Sequence, residues 1–249
     1  KGDYVARWGG EEFLLVFRPL PRGSLGRLGQ RLCTRIAAQA QVVVVTVAYR
    51  MAPEHRAPLA AHDCLDATRW AIEHAAEIGA RTDAVGVTGD SAGGNLAAVV
   101  AQTLRDEGFT GLRHQALVYP APDLTDRETD DLQLLNQRYP VLTPDMMRSF
   151  RSLYLGEEGD DRDPVISPAL GDLTGLPPAL VQTAEVDPLR PDGDAYAQAL
   201  REAGVEVRHT TYRGAPHGYQ TFPGLAPAAQ PALEELIGEI AHHLHEEHP

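Results

Sequence analysis

The stretch that most restricts the fold of this chain is AVGVTGDSAGGNLAAVVAQTLRDEG, residues 84–108. Its first six residues have the β-branched, apolar pattern of a short buried strand. Apolar residues then recur on one helical face, at Leu96, Val99, Val100 and Leu104. A strand that turns directly into a helix is the repeating unit of a fold in which helices cover a mostly parallel sheet.

The same alternation extends in both directions along the chain. The further predicted strands are QVVVVTVAYR (41–50), RHQALVYP (113–120), PALVQTAEVD (178–187) and VEVRHTTY (205–212). The further predicted helices are one carrying Ala61, Leu65, Ile72 and Ala76 and stopping at Gly79, DAYAQALREAG (194–204), and one within 227–247. We therefore predict a single domain, residues 1–249, of the α/β class with a doubly wound, mostly parallel sheet.

Residues 125–170 interrupt this alternation with polar loops around a short helical stretch, TPDMMRSFRSLYL (143–155). Long connections between strands are more often functional than accidental. We predict that this insertion forms a cap, or lid, over the carboxyl ends of the strands.

Charge excludes several classes of function. The net charge is −13, and residues 1–40 hold seven basic and three acidic side chains, so residues 41–249 carry −17. This excess of negative charge disfavours nucleic acids and anionic membranes as partners. Lys1 is the single lysine, which leaves no Walker lysine and no Schiff-base lysine in the body of the chain.

Cysteine content and hydropathy give two further expectations. Cys33 and Cys64 have neither CxxC spacing nor enough partners for a four-cysteine metal site, so we predict buried free thiols. The chain has no apolar run of about 18 residues, and its charged opening lacks the apolar core of a signal peptide. We expect a soluble, cytoplasmic protein.

GDSAG (89–93) has the G-x-S-x-G pattern and lies between a predicted strand and a predicted helix. Small residues around Ser91 permit a tight, strained turn that holds the hydroxyl above the sheet. The N-terminus of the following helix favours the negative charge that develops there. We predict that Ser91 is a nucleophile.

His217, in GAPHGY (214–219), follows the last predicted strand and is the candidate general base for Ser91. The other histidines of the body lie in predicted turns, helices or strands and are interpreted as ordinary surface or core residues. These are His55, His62, His74, His114 and His209.

Asp187 is the candidate carboxylate that orients the base, because it ends a predicted strand and Pro188 turns the chain there. Glu185, Asp192 and Asp194 remain rivals for this role. The chain order Ser91, Asp187, His217 is that of α/β-hydrolases. All three residues fall at carboxyl ends of predicted strands, where doubly wound sheets place their sites.

The tail HHLHEEH (242–248) resembles a metal-binding cluster. It lies on a terminal helix with no partner ligands near it in the sequence, so we predict no metal and no other cofactor.

Four motifs together resemble the bacterial hormone-sensitive lipase family of esterases. They are AYRMAPEH (48–55), GDSAGGNLAA (89–98), DPLRPDGDAYAQAL (187–200) and APHGY (215–219), in the family's order and spacing within residues 31–247. The resemblance implies hydrolysis of small-molecule carboxylic esters with short- or medium-length acyl chains, without a cofactor, and it is compatible with a homodimer.

The same resemblance implies roles for individual residues. Ser91 would attack the ester, His217 would transfer the proton, and Asp187 would hold the imidazolium, through an acyl-enzyme that water cleaves. Glu54 and His55 would organise a turn that supports the site rather than react.

The sequence departs from this family at the oxyanion hole. The family completes that hole with the amides of a His-Gly-Gly-Gly loop together with the amide that follows the nucleophile, here Ala92. This chain reads FRPLPRGSL (17–25) in that place, and Pro19 and Pro21 have no amide hydrogen. We therefore expect a serine carboxylesterase that is active but impaired unless Gly9, Gly10 or a rebuilt loop restores the donor. The alternative is a catalytically silent α/β-hydrolase-fold binding or scaffold protein.

The opening KGDYVARWGGEEFLLVF (1–17) resembles the signature hairpin of GGDEF domains, the diguanylate cyclases, but is far too short for a cyclase. We expect residues 1–22 to be a fusion fragment, natural or created in cloning, that replaces the family's N-terminus. Three roles are open for it. In the first, EEFLLVF (11–17) is the strand before the oxyanion loop, and RPLPRG (18–23) replaces that loop. In the second, DYVAR (3–7) is that strand, and Trp8, Gly9 and Gly10 imitate His-Gly-Gly. In the third, the opening is a hairpin that covers an exposed sheet edge.

Overall fold

The computed structural model describes residues 13–15, 27–125, 138–139, 141–221 and 226–245. Over these residues the strands are β1 (Phe13–Leu15), β2 (Val45–Val47), β3 (Val85–Asp90), β4 (Leu112–Val118), β5 (Ala179–Val186) and β6 (Val207–Pro216). The α-helices there are α1 (Arg27–Gln39), α2 (Leu59–Glu73), α3 (Ala92–Asp106), α4 (Pro144–Leu155), α5 (Arg190–Glu202) and α6 (Ala229–His245).

The described strands form one sheet in the order β2-β1-β3-β4-β5-β6. The strands from β3 to β6 run parallel, and in their centre Leu117 pairs with Gly89 on one side and Val181 on the other. β1 runs antiparallel to both of its neighbours. The predicted class, an α/β fold with a mostly parallel sheet, is confirmed.

Side chains of the central strands alternate between two apolar layers. In β4, Leu117 points into the layer that contains residues of α2, α3 and α5, whereas Ala116 and Val118 point into the layer covered by α1 and α6. Successive side chains of a strand point to opposite faces, so a strand covered on both faces can be apolar along its whole length. This explains the nearly continuous apolar pattern of AVGVTG (84–89), which lies in the fully buried β3.

Two helices have boundaries that differ from the predicted ones, α2 at its end and α5 at its start. α2 ends at Glu73 rather than at Gly79, because beyond it the chain tightens into turns such as the one in which the Glu77 amide donates to the His74 carbonyl at 2.9 Å. α5 begins at Arg190, four residues before its predicted start, with Pro191 in the first turn, where proline is tolerated.

β1 lies in the interior of the sheet and runs against its neighbours. Phe13 pairs with Gly89 and Leu15 with Val87, so β1 begins near the carboxyl end of β3 and ends beside its middle.

The position of β1 corrects one of the three roles predicted for the opening. β1 does not cover an exposed edge, because β2 lies beyond it. Residues 13–15 of EEFLLVF (11–17) do form a strand of the sheet, but RPLPRG (18–23) lies outside the described residues, so its role as a loop beside the nucleophile stays a prediction. The role of DYVAR (3–7) with Trp8, Gly9 and Gly10 also stays a prediction, because these residues lie outside the described residues.

Within the predicted cap, helix α4 coincides with the predicted helical stretch. The Thr143 hydroxyl accepts the amide of Met146 at 3.2 Å and caps the helix, and Pro144 occupies its first position. The Tyr154 carbonyl accepts the amide of Ala57 at 2.8 Å, which joins α4 to the chain two residues after the AYRMAPEH segment. Among the described residues no helix is long and apolar enough to span a membrane.

Candidate active site

Ser91 occupies the turn between β3 and α3. Its backbone has φ 56° and ψ −119°, in a region that residues with a side chain rarely adopt. Its amide donates to the Val118 carbonyl at 2.9 Å, and its carbonyl accepts the amide of Asn95 at 3.2 Å. The strained turn is therefore held by β4 on one side and by the first turn of α3 on the other.

Two glycines around Ser91 are required by close approach of the backbone. A Cβ on Gly89 would lie 2.2 Å from the carbonyl oxygen of Gly93, and a Cβ on Gly94 would lie 2.9 Å from the Cβ of Pro120. The chain turns this sharply from a strand into a helix only because neither residue has a side chain.

We expect Gly89→Ala to lower the free energy of unfolding by about 3 kcal/mol, the upper end of the usual cost of overpacking, because the new Cβ meets rigid backbone. Gly238→Ala is the matched control. A Cβ there meets nothing within 4 Å, and alanine inside α6 should stabilise the protein by about 0.5–1 kcal/mol. Urea unfolding followed by circular dichroism measures both variants, and equal effects of the two would contradict this account of the turn.

The structure brings the three predicted side chains into one hydrogen-bonded row. The Ser91 Oγ lies 2.9 Å from the Nε2 of His217, and the His217 Nδ1 lies 2.7 Å from the Oδ2 of Asp187. Asp187 is 1% exposed, and its Oδ1 accepts the amide of Leu189 at 2.9 Å. When the Nδ1–H donates to this fixed carboxylate, the lone pair of Nε2 faces the serine hydroxyl.

Strand register explains how Asp187 and His217 meet. Val186 pairs with Pro216 at the ends of β5 and β6, after an irregularity in the pairing between Ala184 and Val186. The residue that follows β5 is therefore Asp187 and the residue that follows β6 is His217, side by side at the edge of the sheet where Ser91 follows β3.

The rival carboxylates lie elsewhere. Asp192 and Asp194 are on α5, and the Oδ1 of Asp194 lies 3.0 Å from the Nε2 of His209 rather than at His217. Glu185 accepts a backbone amide at 2.7 Å. Among the described residues, Asp187 is the one of the four candidate carboxylates that forms a hydrogen bond with the His217 imidazole.

Tyr119 was not predicted as a site residue, but it packs against the imidazole. Its ring meets the His217 ring edge-on with the centroids 5.0 Å apart, and its hydroxyl donates to the Oδ2 of Asp90 at 3.1 Å. Burial, together with the nearby Asp90 carboxylate, raises the pKa of Tyr119 well above its usual value, so the phenol stays neutral. An aromatic residue directly after a buried strand was the available signal.

Asn95 is a second residue that the sequence did not single out. From the first turn of α3, its Nδ2 donates to the Ala121 carbonyl at 2.8 Å and to the Ile166 carbonyl at 2.9 Å. One amide thus holds both the exit from β4 and the returning end of the insertion close to Ser91. Its position in GDSAGGN, buried and polar inside an apolar helical stripe, was the signal.

The AYRMAPEH segment is held by an ion pair at its arginine. Arg50 donates from Nη2 to the Oδ1 of Asp63 at 2.7 Å and from Nε to its Oδ2 at 2.9 Å. Hydrogen bonding to Arg50 lowers the pKa of the Asp63 carboxyl. Glu54 and His55 are exposed, and their supporting role stays a prediction.

Of the three predicted oxyanion donors, one lies within the part of the chain that the structure describes. Ala92 is the first residue of α3, where amides have no carbonyl partner within the helix and the helix dipole is positive. Gly9 and Gly10 lie outside the described residues.

A mostly parallel sheet that carries serine, aspartate and histidine in this chain order at its strand ends has the architecture of α/β-hydrolases. A family model described as alpha/beta hydrolase fold matches residues 23–221. The chain belongs to this family.

Relatives and solved structures agree with that membership. Carboxylesterase NlhH of Mycobacterium tuberculosis is 39% identical over 220 residues, which cover 84% of this chain and 66% of the relative. Carboxylic ester hydrolase LipN of the same species is 40% identical over 250 residues, which cover 97% of this chain and 66% of the relative. A hyperthermophilic esterase structure from the archaeon Pyrobaculum calidifontis is 38% identical with a TM-score of 0.81, covering 88% of this chain and 72% of that one.

Two statements follow from these comparisons. The chain spans just under two thirds of the length of the two curated relatives, 66% in each case. The resemblance to the hormone-sensitive lipase family is supported, but the GGDEF likeness of residues 1–17 is not. The alignment with LipN covers 97% of this chain, so similarity to an ester hydrolase extends into the opening.

Proposed function

We propose that this protein is a serine carboxylesterase that hydrolyses small-molecule esters with short- to medium-length acyl chains through an acyl-enzyme. The observation that carries the proposal is the row of hydrogen bonds from the Ser91 Oγ through the His217 imidazole to the Asp187 carboxylate, with heavy-atom distances of 2.9 and 2.7 Å. The names of the two M. tuberculosis relatives, carboxylesterase and carboxylic ester hydrolase, support it and speak against a silent scaffold.

Each residue of the row has one task in the proposed reaction. The Ser91 Oγ bonds to the ester carbonyl carbon while its proton passes to the His217 Nε2, and the Asp187 carboxylate stabilises the imidazolium. Collapse of the tetrahedral intermediate breaks the bond to the alcohol, which takes the proton from Nε2. Water then repeats both steps on the acyl group, releasing the acid and regenerating Ser91.

The oxyanion of that intermediate requires amide donors, and Ala92 is the first we assign. We propose Gly9 or Gly10 as the source of a second donor, supported by the direction of β1: Phe13 enters the sheet beside Gly89, at the edge that carries Ser91. Loss of one such donor costs about 2.7–4 kcal/mol, or about 10² to 10³ in kcat. If neither glycine donates, the enzyme is slow rather than inactive.

We further propose that residues 125–170 of this single domain act as a cap over the acyl site. Two contacts support this role: Asn95 binds the Ile166 carbonyl at 2.9 Å, and the Arg151 Nε donates to the Leu124 carbonyl at 2.7 Å. Both tie the insertion to the edge of the sheet where Ser91 lies. Cytoplasmic location, a homodimer, and the absence of nucleic-acid and membrane partners stay predictions.

A series of p-nitrophenyl esters from acetate to palmitate tests the proposal. We expect kcat/KM to be largest for the short and medium acyl chains and to fall steeply for palmitate, and we expect a fluorophosphonate probe to label the protein at Ser91. Protein pretreated with the probe is the control and should lose its hydrolysis. Folded protein that neither labels nor hydrolyses any ester of the series would support the silent alternative instead.

A further inference from the structure

The C-terminal helix carries a second cluster of ionisable groups that ester hydrolysis does not use. His114 projects from β4, while Glu239 and His243 lie one turn apart on the face of α6 that packs against it. One ligand atom from each of the three side chains lies within 4.8 Å of the other two. Nitrogen and oxygen atoms from a strand and a helix therefore converge at one point.

His114 is the unusual member of this cluster. It is 1% exposed, and its Nε2 is buried with no hydrogen-bond partner among the described residues. Burial, with the neighbouring His243 and His242, lowers the pKa of His114 to about 3, so the ring is neutral at physiological pH. A buried polar atom without a partner is costly, and binding of a cation to a neutral imidazole nitrogen would remove that cost.

The two helix residues lie close to each other and to His114. The His243 Nε2 lies 3.7 Å from the Oε2 of Glu239, and the His243 ring stacks on that of His114 with the centroids 4.6 Å apart. Arg208 occupies the other carboxylate oxygen, Oε1, at 3.0 Å. The Oε2 atom lies on the side of His243, and an i, i+4 pair on a helix can bind one ion.

We propose that His114, Glu239 and His243 bind a divalent transition-metal ion, with Zn²⁺ the best match. Two imidazoles and one carboxylate are a common zinc ligand set, with water in the fourth position, whereas Ca²⁺ and Mg²⁺ prefer oxygen ligands throughout. Tetrahedral ligand atoms at zinc lie about 3.3 Å apart, so rotation of the Glu239 and His243 side chains has to unstack the two rings and close gaps of up to about 1.5 Å. The sequence predicted no metal in the tail because no further ligand lies near it along the chain. In the folded structure, β4 places His114 beside the tail helix.

The proposed ion would join α6 to the sheet rather than take part in hydrolysis. His114 pairs with Gly86, five residues before Ser91, so the cluster lies about 16 Å back along the sheet from the nucleophile. Metal binding should therefore raise thermal stability and leave ester hydrolysis unchanged. The two proposals succeed or fail independently.

The test is a titration of the EDTA-treated full chain with Zn²⁺ by calorimetry, and with Co²⁺ by visible absorption, which reports tetrahedral coordination. We expect one equivalent of Zn²⁺ to bind and a rise in Tm of about 5–10 °C at a free concentration 100-fold above Kd. Binding of no equivalent, or a Tm that does not change, would overturn the proposal.

Variants separate this site from chelation by the histidine-rich tail. Glu239→Gln changes one carboxylate oxygen on a partly exposed side chain and should weaken Zn²⁺ binding at least about 100-fold, with the far-UV circular dichroism spectrum preserved. His114→Gln should do the same. The matched control is His242→Gln, the exposed neighbour, which should keep its affinity within about threefold. Loss of binding in His242→Gln with retention in Glu239→Gln would assign the metal to the tail and refute the site.

Discussion

Ser91→Ala is expected to lower kcat for a short p-nitrophenyl ester by about 10⁶-fold, the effect of removing the nucleophile from a serine triad. The reason is that the Oγ forms the bond to the acyl group, and without it the His217 Nε2, 2.9 Å away, has no proton to take. KM should change little, because the side chain contributes little to binding the ester. Steady-state kinetics measure both constants, and the fluorophosphonate probe should no longer label the variant.

Ser149→Ala is the matched control for this variant. Its hydroxyl is exposed on α4 and donates to the Asp145 carbonyl at 2.9 Å, away from the imidazole. It should hydrolyse the ester and take up the probe like the unaltered protein. Wild-type turnover by Ser91→Ala, with circular dichroism and unfolding unchanged, would remove Ser91 from the mechanism and leave the reaction to another residue.

The features that the sequence predicted depend on short-range patterns. A continuous apolar run such as 84–89 predicts a strand covered on both faces, and β3 is buried along its whole length. GDSAG predicts a tight turn because two contacts, at Gly89 and Gly94, leave no room for a Cβ. The chain order and the positions of the predicted strand ends were enough to predict that Ser91, Asp187 and His217 lie at one edge of the sheet.

The features that the sequence missed depend on pairing between distant segments. No local pattern states whether Phe13–Leu15 runs parallel or antiparallel to β3, since a short apolar strand satisfies both ladders. The neighbourhood of His114 was hidden for a related reason: its partners on α6 lie more than a hundred residues further along the chain. The neighbours of a side chain such as His114 can be identified only once the packing of the helix on the sheet is known.

Tyr119 shows the same limit at the catalytic edge. The sequence placed it at the end of a strand, but its contact with the His217 ring depends on how β4 and the loop after β6 converge. Its hydroxyl also fixes Asp90, the residue before the nucleophile, at 3.1 Å. A positioning role of this kind requires coordinates, because it joins three segments that are separated in the chain.

Asp187→Asn is expected to reduce kcat by about 10⁴-fold while leaving KM and stability nearly unchanged. An amide has nearly the same shape as the carboxylate, so the 2.7 Å contact with the His217 Nδ1 can persist. An amide that donates from this position, however, favours the tautomer with the proton on Nε2, which can no longer accept the serine proton. Kinetics of ester hydrolysis measure the expected loss of kcat, and urea unfolding measures the expected retention of stability.

Asp194→Asn is the control that distinguishes orientation of the base from a general loss of negative charge. Asp194 also faces a histidine, His209, at 3.0 Å, and it follows Asp187 by only seven residues. Both substitutions remove one carboxylate from an aspartate–histidine contact, but only the contact of Asp187 leads on to Ser91. A loss of activity in Asp194→Asn equal to that in Asp187→Asn would mean that charge near the sheet edge, rather than the tautomer of His217, controls the rate. A large loss confined to Asp187→Asn assigns the effect to the imidazole, since the serine, the turn that holds it and the fold remain unchanged.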